Sequence, residues 1–270
     1  MALIAASCSS GTKTTTANGT TGATTSVSST PATTPPDTAL AALTTADATT
    51  AKAITDSLAA SKPGCDPLDT RQCLLPFPSN NFTKADAATD TGLRVNLPAD
   101  ASLANKDGLA IDFTEWNRND GFSPNSTLLA YVPGIDAAAS KLPSWTDLEA
   151  STKPDATVVI VDMADGKRVP LWAELDAKAT ADADRTLVIH PAVVLQEGHH
   201  YAVGLRGMKD KSGANIDASP VFRVYRDRIA NDALEARRTS MEKTFSTLTS
   251  AGVARDELYL AWDFTVASER

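Results

Sequence analysis

Apolar and polar residues change rhythm several times along this chain, and each rhythm predicts its own kind of element. Between residues 156 and 206 the apolar residues fall in short β-branched runs: TVVIVD (157–162), RVPLWAEL (168–175), TLVIHP (186–191) and HYAVGLR (200–206). Runs of this length, bounded by turn residues, predict strands. Asp165-Gly166 supplies the positive φ of a tight hairpin between the first two, and Glu197-Gly198 marks a second reversal. Alternation in the last run puts Tyr201, Val203 and Leu205 on one face and His200, Ala202, Gly204 and Arg206 on the other. That is the pattern of a strand with one buried face.

On either side the same reasoning gives further elements. Prolines around Phe77 in CDPLDTRQCLLPFPSNNFT (65–83) predict an extended segment along a domain edge. TDTGLRVNLP (89–98) reads as a turn and a short strand, and residues 127–132 as another strand, entered through a polar loop that holds Trp116 and Phe122. KDKSGANI (209–216) is a turn and VFRV (221–224) a strand. The period then becomes helical: Ala230, Leu234, Met241, Phe245 and Leu248 share one stripe over about residues 228–250, with Arg237, Arg238, Glu242 and Lys243 on other faces. Gly252 ends that helix. LYLAWDFTVAS (258–268) returns as a strand, with Leu258, Leu260, Trp262 and Phe264 on one side. The expected fold is mainly β: an Ig-like antiparallel β-sandwich with one packed amphipathic helix, preceded by a disordered N-terminal stalk.

That stalk is read from composition. From Ser9 to about Ser61 the chain is Thr, Ser and Ala with few charges and few large apolar residues, too little to offset the entropy of ordering. Such a tether spans roughly 40 Å on average, although residues 40–60 hold enough alanine for a weak helix. Residues 3–8, LIAASC, have the small residues before a cysteine that mark the end of a bacterial lipoprotein signal, with Ala5 where Leu is usual and Cys8 as the lipidated residue. Several acyl chains on one cysteine, at about 0.8 kcal/mol per buried methylene, anchor a protein firmly. The expected division is a signal remnant over 1–8, a flexible linker over 9–64 and a β-sandwich domain over 65–270.

Charge and special residues narrow the function. Acids outnumber bases 33 to 25, and the net charge of -8 argues against nucleic acid, whose phosphates need clustered Lys and Arg. Among three cysteines, Cys65 and Cys73 are close enough in sequence to close a disulfide loop worth roughly 2.5 kcal/mol; two free thiols are the alternative. No two glycines are spaced for a nucleophile elbow, a dinucleotide fingerprint or a P-loop. His190, His199 and His200 could each serve as a base, yet only Ser123, in GFSPN, imitates a nucleophile, and the proline after it favours a turn. Asp112, Glu115 and Asp120, with Asn117 and Asn119, gather oxygen ligands that could hold calcium. Their spacing does not fit an EF-hand, and turn hydrogen bonds are the alternative use of the same side chains. No cofactor is expected.

The segments LLPFPSNNF, TDTGLRVNLP, NDGFSPNS, TLVIHPAVVLQEGHHYAVGLRGMKDKSG and LYLAWDFTVAS resemble the N-terminal domain of bacterial virulence-factor lipases, the surface-exposed lipoprotein lysophospholipase group. The fourth of them is also similar to bacterial Ig-like domains of the S-layer type. The resemblance covers about residues 65–268. It implies that an α/β-hydrolase domain, carrying the nucleophile, follows in cis beyond residue 270; the lipobox-like start and the stalk fit the same architecture, a lipid-anchored protein at the bacterial surface, and a monomer is expected. No catalytic residue is thereby carried to any position here, and exposed aromatics such as Trp116 and Phe122 would shape the mouth of the hydrolase. The alternative is a stand-alone surface adhesion or ligand-binding module.

Overall fold

The computed structural model describes residues 42–69, 71–101, 104–179 and 181–269; Cys8 and the first part of the stalk lie outside them. In chain order the described elements are α1 (Ala48–Ala60), β1 (Thr83–Ala85), β2 (Leu93–Val95), β3 (Leu128–Tyr131), β4 (Val158–Asp162), β5 (Leu171–Leu175), β6 (Thr186–Pro191), β7 (His200–Arg206), α2 (Pro220–Arg226), α3 (Glu235–Ser250) and β8 (Leu258–Thr265). The strands make three antiparallel sheets, β1-β2, β3-β6-β5 and β4-β7-β8. The fold is mostly β with some helix.

Asp165-Gly166 does turn the chain, with Gly166 at φ 72° and Asp162 N donating to Lys167 O at 3.0 Å. The two strands then part after one bridge, Val161 with Arg168, because β4 pairs with β7 while β5 pairs with β6. The Glu197-Gly198 reversal likewise carries the chain from one sheet to the other. Inward residues of both sheets, among them Leu128, Ala130, Leu171, Leu187 and Ile189 from one and Ile160, Val203, Leu205, Trp262 and Phe264 from the other, belong to a single apolar cluster.

Four expectations change. First, β7 is buried on both faces, not one, because α3 lies across the side that carries Ala202 and Gly204. A Cβ at Gly204 would meet the side chains of Leu248 and Leu258 at 3.1–3.2 Å. Second, VFRV is helical. Ser219 caps α2, its hydroxyl accepting from Phe222 N at 3.2 Å, Pro220 opens it, and Val221, Phe222, Val224 and Tyr225 are all buried; a short apolar run suits either element until its neighbours decide.

Third, the linker over 9–64 is corrected at its end, since residues 41–270 form one unit. Asp47 caps α1, accepting from Thr49 N and Thr50 N at 2.9 Å, and Ile54 enters the core at 1% exposure. Thr44 adds a parallel rung beside Ile229. Fourth, the helix starts at Glu235; Met241, Phe245 and Leu248 of the expected stripe are buried, as is Leu234 just before it, but Ala230 is exposed and Arg238, expected on another face, is buried. Its guanidinium donates to Ile229 O and Glu235.

Candidate functional site

Two adjacent histidines stand at the entry to β7, His199 just before it and His200 as its first residue, and each meets a buried aspartate. His199 Nδ1 lies 2.7 Å from Asp162 Oδ2 at the end of β4. Tyr201, paired with Asp162 across the ladder, has its phenol pushed up to about 12, by burial first and by the charge of Asp162 besides.

His200 reaches the other face, where its Nε2 lies 2.7 Å from Asp263 Oδ2. Asn80 Nδ2 donates to the same oxygen and to Thr265 Oγ1, both at 3.0 Å, and Ser240 Oγ donates to Asp263 at 3.3 Å. Burial alone would raise the Asp263 carboxyl. The hydrogen bond and charge of His200, then Arg237 and Asn80, outweigh it and hold that carboxyl below its ordinary value. Serine, histidine and aspartate therefore stand together, but in the wrong order for acyl transfer. A relay needs the imidazole between hydroxyl and carboxylate, and here the carboxylate stands between the other two.

The remaining sequence candidates have separate partners. His190 stacks on Trp172 at 4.6 Å, with Nε2 3.2 Å from Glu174. Ser123 Oγ accepts from Asn125 N at 3.2 Å in a turn. Asp112 accepts the Thr114 backbone N–H and hydroxyl at 2.9 and 2.6 Å, which lowers its pKa. Glu115 pairs with Arg118 at 3.1 Å. Asp120, buried, accepts from Ser268 N and Oγ at 3.1 and 2.6 Å. Among the described residues no three His, Cys, Asp or Glu side chains converge as a metal set.

Trp116 is exposed as expected, at 55%, whereas Phe122 is 6% exposed. The exposure expected of Phe122 is thereby corrected: its ring packs edge-on against Phe77 at 5.5 Å, and its backbone bridges Val266. Cys65 and Cys73 are joined as a disulfide.

Sequence reasoning missed what the disulfide loop holds. Asp66, fully buried, takes both of its oxygens to Arg237 Nη1 at 2.7 and 2.8 Å. The visible signals were an aspartate beside a half-cystine and, for Asp263, a charge inside an otherwise apolar strand.

A cleft of about 430 Å³ lies at the far end of β7. Its wall has Met208, Ala218 and Leu258 behind a rim of Asp155, Asp217, Asp256 and Glu257. Arg206 and Arg226 also line it, but their protons go to Ala156 O, Pro154 O and Glu257, and to Leu258 O and Asp227. None of the three histidines borders it. Comparison of the chain with protein-family models, with curated proteins and with solved structures gives no match.

Proposed function

We propose that the chain is the non-catalytic front domain of a lipid-anchored bacterial surface esterase or lipase, an Ig-like sandwich that positions an α/β-hydrolase domain lying beyond residue 270. One observation carries the reading: the segments behind the family resemblance touch one another. Trp262 Nε1 donates to Pro78 O at 2.8 Å, and Asn80 reaches Asp263 and Thr265, which ties LLPFPSNNF to LYLAWDFTVAS. Val95 N donates to Asn119 O at 2.9 Å, which ties TDTGLRVNLP to NDGFSPNS. That segment then grips residues 265–268 through Phe122 N to Thr265 O, Ala267 N to Phe122 O, and Asp120. A domain joined after Ser268 would leave from a fixed point, as a positioning module requires.

Reading the gene past the codon for Arg270 tests this cheaply. An in-frame continuation with G-x-S-x-G is the expected result, and an immediate stop codon would sink the proposal. The second reading, a surface adhesion or ligand-binding module, draws on Trp145, 72% exposed, and on Trp172 stacked with His190 at the outer side of its sheet. It expects retention of the chain by a glycan array, and loss of that retention in Trp145→Ala.

A further inference from the structure

We propose that the loop over residues 104–118 is a lipid-inserting tip that seats the domain on the head-group and upper acyl region of a phospholipid bilayer. Leu109, Ile111 and Trp116 are 69%, 42% and 55% exposed, and they crowd into one short loop.

The base of this loop is fixed while its tip is bare. Phe113 packs against the core and meets Trp116 edge-on at 6.3 Å. Asn117 fastens the loop to Leu97, accepting from its N–H at 2.7 Å and donating to its carbonyl at 3.0 Å.

Three further observations favour lipid over a protein partner. An element entering lipid must satisfy its own backbone, because hydrocarbon offers no hydrogen bonds. The tip does this around Asn105: its N–H donates to Leu109 O at 2.8 Å, its carbonyl accepts from Gly108 N at 3.0 Å, and its side-chain oxygen accepts from Asp107 N and Leu109 N at 2.9 and 3.0 Å.

Four of the loop's five charges pair locally, Lys106 with Asp107 at 2.6 Å and Arg118 with Glu115 at 3.1 Å. Asp112, held by the Thr114 hydroxyl and N–H, leaves the loop at a net charge of -1 within a chain of net charge -8. Finally, at roughly 200 Å² per large side chain, the three exposures leave on the order of 300 Å² of apolar surface, against roughly 800 Å² for one side of a standard protein interface. Tryptophan beside aliphatic residues is the side-chain set of a membrane interface.

The inference does not rest on the front-domain reading or on acylation of Cys8, and its test separates them. The full chain carrying Cys8→Ser, which cannot be lipidated, is sedimented with vesicles of phosphatidylcholine alone and with vesicles containing a third phosphatidylglycerol. Comparable binding to both is expected. Leu109→Asp with Ile111→Asp, at exposed positions, should lower the partition coefficient at least about tenfold. Trp116→Phe should keep binding within about threefold while abolishing most of the quenching of tryptophan emission by brominated acyl chains. Absence of binding, binding to the anionic vesicles alone, or an aspartate pair that partitions like the parent overturns the proposal and leaves the front-domain reading untouched.

Discussion

Single side chains at the two-histidine turn show how much depends on partners far away in sequence. Asp263 is 2% exposed, and its charge survives there because His200, Asn80 and Ser240 all face it. Replacing it with asparagine keeps the shape and removes the charge, so Asp263→Asn should cost about 2 to 3 kcal/mol at pH 7. The folded carboxyl titrates below its unfolded value of about 3.9. Its contribution is therefore complete above about pH 4 and disappears as pH falls through the depressed folded pKa. Urea unfolding of parent and variant at pH 7 and at pH 3 should show the gap between them closing in acid; a gap that stays constant would contradict the assignment. Composition and periodicity revealed that histidines and an interior aspartate existed, but not which aspartate each histidine would meet, because side-chain distances depend on strand pairing.

Elements differ in how openly their residues declare them. The strands between 157 and 206, β8 and most of α3 were legible, because β-branched runs set off by turn residues and a helical stripe are local signals; burial of β4, β7 and β8 on both faces was not. The segments 48–60 and 220–226 were less so: the first has one large buried residue, Ile54, and the second is a seven-residue helix held by its cap and its packing. Because α1 belongs to the folded unit, Ile54→Ala should destabilise it by about 2 kcal/mol or more, measured by thermal unfolding. A free linker would show no change.

The clamp on residues 265–268 gives a second prediction at this scale. A Cβ at Gly121 would stand 2.5 Å from Ala267 N and 2.7 Å from Val266 C, both backbone atoms that cannot swing aside. Gly121→Ala should cost on the order of 1 to 3 kcal/mol and raise amide exchange at Phe122 and Ala267, whose N–H groups close the clamp.

At the scale of the whole unit, separate stretches of chain are fastened to the β4-β7-β8 sheet and to α3, which packs on it. The disulfide loop is the clearest case: Cys65–Cys73 holds Asp66 against Arg237 of α3, so cross-link and buried ion pair support each other. Cys65→Ser with Cys73→Ser should lower stability by at least roughly 2.5 kcal/mol in oxidising buffer, and parent and variant should coincide once a reductant has opened the bond. A larger loss would mean that Arg237 also forfeits its partner, because an uncompensated buried charge is costly.

What the sequence determined by itself is the set of local instructions: where strands and a helix form, where glycines turn the chain, which two cysteines lie close enough to bridge, and that the acidic surplus disfavours a polyanionic partner. The tertiary structure alone decided that β4 and β5 separate into different sheets, that α3 seals the second face of β7, that Phe122 is buried while Trp116 stays in solvent, and that Asp263 stands between Ser240 and His200. The physical reason is range. Turn chemistry and periodicity act over a few residues, whereas burial, ion pairing and the order of groups in a site arise between residues far apart in the chain, 185 positions in the case of Asn80 and Thr265.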